Sequence, residues 1–278
     1  MATRRRARRR WWPWLVVPPA LFLLWLFALW PPPVWYRTHF PAETAFMRMR
    51  RAQAPLLSGP ERAYDPVPLD RIAPAMALAA ITGEDNHFWE HGGIDYASLR
   101  KALGYRRTRF EWADDRDRAE LRRALGRAWE RRERLRGAST ITQQLAKNLY
   151  LSPSRNPLRK VKEAVTAYRL ESALGKRRIL ELYLNVAEMG EEVWGVEAAS
   201  RRYFRKPAAK LTRSEAAALA GLLPFPLRSN PSLKPGRMRW RQNLILRRMA
   251  GERIEIPPDD AEPPEGVDLD DLFNRDSQ

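Results

Sequence analysis

The sequence holds no cysteine. That excludes a disulfide framework, a cysteine-based zinc site and a cysteine nucleophile. Histidine is nearly as scarce. His39, His87 and His91 are the whole supply, which leaves little room for a His-rich metal centre. Acids are short against bases, with 33 Asp+Glu facing 50 Lys+Arg and a net charge of +17 over 278 residues. Such an excess calls for an acidic partner: nucleic acid, an anionic membrane surface or a phosphorylated substrate. The length allows one or two domains and a sizeable core that needs no covalent staple.

The charge is unevenly placed. Residues 1–10 carry six arginines and no acid, and residues 252–278 carry ten acids against two arginines, which leaves +19 for 11–251. Between the basic arm and the body, residues 11–36 contain no charge at all. As one helix this run would reach about 39 Å, against roughly 30 Å of bilayer hydrocarbon. Trp11, Trp12 and Trp14 at one end and Trp30, Trp35 and Tyr36 at the other suit two membrane interfaces. The run is read as an uncleaved signal anchor rather than a cleaved secretory signal, because it is long and no A-x-A site follows. Pro18 and Pro19 would kink a helix that a membrane can still accommodate. The positive-inside rule sets the first ten residues in the cytoplasm and the body outside.

Proline-rich residues 37–68 read as a juxtamembrane linker with one short helix. From 69 to 251 the pattern is helical, with no convincing strand pattern and no internal repeat, so the expected class is mainly α. Asp70 and Pro74 open a first helix that Gly92 and Gly93 close. Thr140 with Gln143 forms a capping box, and Ile141, Leu145 and Leu149 line one face behind it. Further helices are expected from Asn156-Pro157 to Gly175, from Lys176 to Gly190, over about 195–204, from the box Thr212-x-x-Glu215 to Pro224, and over about 236–250. Residues 104–136 differ: 19 of these 33 are charged, with Tyr105, Phe110, Trp112 and Trp129 among them. They read as a charged, mobile insert. The acidic, proline-rich tail 252–278 reads as disordered.

Three stretches could carry chemistry. In 83–92, Glu84 would share a helix face with His87, Phe88 and His91, a setting that suits a tuned general acid or base. A solvent-facing acid fits equally well. The same stretch spells His87-x-x-Glu90-His91, a zinc-protease pattern, although the glycine pair after His91 would end the helix that must hold the ligands. In 136–148, Gln143, Gln144, Lys147 and Asn148 form a polar face behind a helix start whose N–H groups suit sugar hydroxyls and phosphate oxygens. An ordinary capped amphipathic helix would look the same. In the third, Arg155, Arg159 and Lys160 surround Glu163. This is either an intrahelical salt bridge or a cationic cradle for an anionic leaving group. Glu84 and Glu163 would then be two carboxylates in contrasting environments, the pattern that separates acid and base roles.

Five ordered blocks carry a resemblance. They are Glu84-Asp85-x-x-Phe88-x-x-His91-x-Gly93-x-Asp95, then Gly137-x-Ser139-Thr140-Ile141-x-Gln143-Gln144-x-x-Lys147-Asn148, then Arg159-Lys160-x-x-Glu163. Lys176-x-x-Ile179-Leu180-Glu181-x-Tyr183-Leu184-Asn185 follows, and Gly195-x-x-x-Ala199 with Tyr203-Phe204 completes the set. Through about 70–250 the chain resembles the monofunctional biosynthetic peptidoglycan transglycosylases, glycosyltransferase family 51, whose module also occurs in class A penicillin-binding proteins. The residues outside the match leave no room for a penicillin-binding domain. Ala138 stands where many members have a second glycine, and 104–136 is longer than the usual segment between the first two blocks.

The resemblance implies a lysozyme-like, mainly helical domain with a smaller membrane-proximal lobe, and polymerisation of lipid II with inversion and loss of undecaprenyl pyrophosphate. It assigns Glu84 as general base and Glu163 as the second essential carboxylate. Lys147 and Arg155 would bind the donor pyrophosphate with support from Arg159 and Lys160. Ser139, Thr140, Gln143 and Gln144 would line the cleft, with Asn148 on the same polar face. No cofactor is obligatory, although Mg²⁺ or another divalent cation assists some members at the pyrophosphate. The implied partners are lipid II and the growing glycan, membrane lipids, and other proteins of cell wall synthesis or division, not nucleic acid. The implied location is the bacterial inner membrane, with one span and a periplasmic catalytic domain. A glycan-cleaving lysozyme-like enzyme and a non-enzymatic membrane-anchored scaffold are the rival readings.

Overall fold

The computed structural model describes residues 12–53, 62–105, 111–130, 139–151 and 157–257. In chain order its helices are α1 (Trp12–Phe27), α2 (Ala45–Gln53), α3 (Pro74–Glu84), α4 (Tyr96–Ala102), α5 (Asp115–Glu130) and α6 (Ile141–Tyr150). Then come α7 (Pro157–Leu174), α8 (Lys176–Val186), α9 (Val196–Phe204), α10 (Arg213–Leu222) and α11 (Gly236–Met249). Three short strands, β1 (Ala63–Tyr64), β2 (Glu188–Gly190) and β3 (Val193–Trp194), form one small sheet in the order β1-β3-β2. The molecule is mainly helical, as its residue pattern implies.

Local chemistry sets most helix ends. Thr140 and Thr212 each accept the amide three residues on, and Gln143 and Glu215 reach back to close both capping boxes. Pro157 opens α7, and Gly175, at φ +74°, separates it from α8. The core forms around two groups of helices. The alanine-rich α10, buried along 216–222, lies against α3 and α11. Beside it α6 lies against α7 and α8, with Ile141, Leu145 and Leu149 turned inward. Each such aliphatic side chain contributes about 1.5–3 kcal/mol by leaving water.

Several expectations are corrected. The first catalytic-region helix ends at Glu84 instead of running to Gly92, so Glu84, His87 and His91 share no helical face. Residues 188–190 are strand β2, not the end of α8. The linker is built into the body: β1 pairs in parallel with β3, Met47 of α2 is buried, and α2 packs on α6. Strands of two or three residues are too short to show an alternating pattern, which is why the sheet escapes a reading of the sequence.

The charge-free run is not one helix either. α1 ends at Phe27, and Pro31, Pro32 and Pro33 withhold three backbone donors before a 3-10 turn over Pro33–Arg37. That turn packs on α7 and buries Tyr36 in the core. Residues 1–11 lie outside the described residues. Among the described residues no helix is long and apolar enough to cross a membrane. α1 still exposes Leu15, Leu21, Leu24 and Phe27. Its carboxyl end is held by α7, where Lys162 donates to the Trp25 carbonyl at 2.6 Å and Arg169 to the Phe27 carbonyl at 2.6 Å. Two cations thus meet carbonyls that a helix end leaves unsatisfied, at the negative pole of its dipole. Burial lowers the Lys162 ammonium from its ordinary value.

Candidate active site

Glu84 is the last residue of α3, and its side chain is only 5 % exposed. The Gln144 amide of α6 donates to Glu84 Oε2 at 2.8 Å. The Tyr183 hydroxyl of α8 donates to Gln144 Oε1 at 3.1 Å, which fixes which end of the amide faces Glu84. On the other side, Arg241 Nη2 of α11 lies 3.6 Å from Glu84 Oε1. The carboxylate is thus held by groups from two further helices.

The next residue ties this corner to α6. Asp85 Oδ2 accepts the Ile141 amide at 2.9 Å, and its carboxylate also accepts from His91 Nε2 at 2.9 Å. The Gly93 amide donates to His91 Nδ1 at 3.2 Å, so the ring proton sits on Nε2. His87 bonds a different carboxylate, Asp95, at 2.9 Å. His87 and His91 therefore face separate acids in a non-helical turn, an arrangement unlike a shared zinc ligand set. Among the described residues no group of three or more His, Asp or Glu side chains could hold a metal ion.

The start of α6 is occupied by protein. Thr140 and Gln143 are buried and satisfy each other through the capping box, and the Thr140 hydroxyl donates to the Gly93 carbonyl at 2.6 Å. Of the expected free N–H groups, that of Ile141 joins α6 to Asp85 beside Glu84, while those of Thr140 and Gln143 close the capping box. Asn148 is buried as well. Thr140, Gln143 and Asn148 support the polar face from behind. Ser139, Gln144 and Lys147 remain partly exposed.

The second centre lies on α7. Glu163 is 3 % exposed and bonded by Arg159 at 2.8 Å and by Lys160. Lys160 also donates to Ser139 Oγ at 2.9 Å. The intrahelical ion pairs are real, and the same lysine bridges them to the start of α6. Residues 139–148 therefore meet both centres: Gln144 touches Glu84, and Ser139 touches the lysine that holds Glu163. Lys147 stands one turn beyond Gln144 on the same face. Its ammonium lies 5.9 Å from the Phe46 ring centre of α2, and the Arg50 guanidinium lies 5.2 Å from the same centre. Glu188 pairs with Arg50 at 2.8 Å, and burial raises its carboxyl despite the opposing pull of Arg50 and Lys147. Arg155 lies outside the described residues.

A family model described as transglycosylase matches residues 107–250, just over half the chain. The chain belongs to the transglycosylase family. It is similar to the biosynthetic peptidoglycan transglycosylase of Bordetella pertussis, 40% identical over 238 residues, which cover 85% of this chain and 89% of that one. It is also 48% identical over 186 residues to the protein of the same description from Escherichia coli O157:H7, covering 66% of this chain and 67% of that one. The family model begins after Glu84 and takes in Lys147, Glu163 and Arg241. In this transglycosylase the first carboxylate is therefore carried by the segment before the matched stretch and joined to it by Gln144, Asp85 and Arg241. Tyr183 and Arg241 are the two site residues whose roles a reading of the sequence misses. A signal for Arg241 was present: it sits three residues after Met238 and four before Ile245, both buried, on the inward stripe of α11.

Proposed function

We propose that this transglycosylase is a peptidoglycan glycosyltransferase of cell wall synthesis that polymerises lipid II. The acceptor's GlcNAc 4-hydroxyl attacks C1 of the donor MurNAc with inversion. The new C1–O bond forms as the bond to pyrophosphate breaks, and Glu84 takes the hydroxyl proton. Undecaprenyl pyrophosphate departs with its electron pair, and a β-1,4 link remains. The observation that carries this reading is the reach of 139–148 across both centres, from Glu84 through Gln144 to Glu163 through Ser139 and Lys160. Inversion needs a base on one face of the sugar and charge stabilisation on the other.

Lys147, Arg159 and Lys160 would supply the cations for the leaving pyrophosphate, and the resemblance adds Arg155, which lies outside the described residues. Such fixed cations act where charge develops and make a general acid unnecessary. Glu163 keeps Arg159 and Lys160 in place. Its carboxylate is engaged by those two cations, and no step here uses a Mg²⁺ ion. The lysozyme-like lobes implied by the resemblance would flank this cleft.

The exposed apolar surface of α1 supports an anchor in the bacterial inner membrane, with the arginine arm cytoplasmic and the body periplasmic. At about 24 Å, α1 is shorter than the hydrocarbon core. The exposed Trp30 and Trp35 suit the interface that a short span draws close. Lipid II stays in that membrane, so an anchored basic body meets its substrate there.

The test separates synthesis from cleavage. Purified full-length protein is given labelled lipid II in one vessel and preformed labelled glycan in another. Polymer from the first and no shortening in the second is the expected result. Shortened glycan without polymer would overturn the proposal in favour of a hydrolase.

A further inference from the structure

We propose that Arg241 is a positioning residue for the Glu84 base, an inference that rests on the glycosyltransferase reading of Glu84. α11 comes unusually close to α10 at Gly221. A Cβ there would sit 2.9 Å from the Met238 carbonyl oxygen and 3.1 Å from the Gln242 amide nitrogen, so only glycine lets the two backbones meet. This close approach sinks Arg241, one helical turn beyond Met238, until 2 % of its side chain is exposed. A guanidinium stays charged at any working pH, and burying it is costly unless acceptors meet it.

Among the described residues, Pro257 and Glu84 meet it from distant parts of the chain. Arg241 Nη1 donates to the Pro257 carbonyl at 2.9 Å, and Nη2 lies 3.6 Å from Glu84 Oε1. The guanidinium is a rigid planar fork, so fixing one nitrogen on Pro257 fixes where the other points. Pro257 is itself held, because the neighbouring Ile256 packs on the core. The start of the acidic tail is therefore a docked strap, although the sequence pattern suggests disorder. At 3.6 Å the contact with Glu84 is an ion pair longer than a hydrogen bond. It orients the carboxylate by charge while Gln144 holds the other oxygen at 2.8 Å. Arg241 acts on the reaction only through Glu84.

The experiment combines kinetics with a stability cycle on the full chain. Arg241→Gln and Arg241→Lys are made in the wild-type and Glu84→Gln backgrounds. Polymerisation of labelled lipid II is measured against pH, and thermal unfolding is followed for every variant. Arg241→Gln is expected to lower kcat by at least about tenfold while KM changes less than about twofold. The acidic limb of its pH–rate profile moves to higher pH, since a cation beside the base is gone. Arg241→Lys keeps a charge without the fork and recovers part of kcat. The Tm lost with Arg241→Gln shrinks by half or more in the Glu84→Gln background, because the partner has been neutralised.

Wild-type kcat and pH profile in a folded Arg241→Gln would overturn the proposal. So would an equal Tm loss in both backgrounds, which marks a purely structural arginine. Should Arg241→Gln fail to fold, Arg241→Lys decides: a reduced kcat with unchanged KM supports the role, and wild-type kcat overturns it. Absence of polymer from the wild type in the same assay would instead overturn the glycosyltransferase reading. The stability cycle would still report whether Arg241 and Glu84 interact.

Discussion

At the scale of single residues, the proposed base, Glu84, is a supported carboxylate. Gln144 donates to Glu84 and is itself oriented by the Tyr183 hydroxyl. Gln144→Ala is therefore expected to lower kcat by about tenfold to a hundredfold, and Tyr183→Phe, which only frees the amide to turn, by less. Initial rates of polymerisation check this, and a Tyr183→Phe defect larger than that of Gln144→Ala would contradict the order of support. A second prediction concerns acid stability. Burial works to raise the Asp95 carboxyl, but bonds from the Ser98 hydroxyl, the Ser98 amide and the His87 ring outweigh it and hold it at about 2, against an ordinary 3.8. A carboxyl whose folded value lies below its unfolded one stabilises fully above the unfolded value, and that contribution is lost as pH falls through the folded one. Asp95→Asn keeps a side-chain cap for α4 but loses the charge. Its stability deficit in denaturant unfolding should be constant above about pH 5 and shrink between roughly pH 4 and 2. A deficit unchanged at the lowest pH would point to lost packing instead. The residues at this scale were only partly legible. Glu84, Lys147 and Glu163 stand in dense polar motifs. Arg241 is one of five arginines in α11, and only its register with Met238 and Ile245 sets it apart.

At the scale of elements, the sequence was most legible where helix ends are written in local chemistry. Both threonine boxes cap the helices they open, and α7, α9 and α11 fall within a residue or two of where glycine, proline and periodicity put them. It was least legible where a distant group decides. α3 stops at Glu84, and the Asp85 carboxylate turns to the Ile141 amide and His91, partners that no local pattern announces. The small sheet is likewise a long-range product, pairing residue 63 with residue 193. Thr140 shows how one cap serves both levels, since it closes the α6 box and donates to Gly93. Thr140→Ala should cost about 1–2 kcal/mol from the cap alone. It should also lower activity, because the corner that carries Glu84 loses a tie to α6. Thr212→Ala should lower stability comparably with activity per folded molecule intact, as Thr212 caps the end of α10 remote from Gly221, where α11 is brought in. Urea unfolding beside specific activity separates the two, and equal activity losses would contradict the distinction.

At the scale of the whole molecule, the +17 resolves into parts with different tasks. Six arginines precede the apolar helix, and Lys147 of α6 with Arg159 and Lys160 of α7 are the cations proposed to meet the pyrophosphate. Lys162 and Arg169 fasten α1 to the helix that holds Glu163. Removal of residues 1–29 should release the protein from liposomes and slow polymerisation of membrane-embedded lipid II. Lys162→Ala with Arg169→Ala should leave liposome binding in place and lower only that rate, as orientation is lost while the apolar helix stays. Flotation and polymerisation on the same vesicles give both readings, and loss of binding in the double variant would contradict the clamp. The central claim is that Glu84 is the base that joins sugar to sugar. It is tested most directly by giving purified wild type and Glu84→Gln the same labelled lipid II and following polymer length and amount. The account predicts long glycan from the wild type and, at unchanged Tm, a loss of about a hundredfold or more in the variant. Polymer formed by a folded Glu84→Gln at the wild-type rate would contradict it.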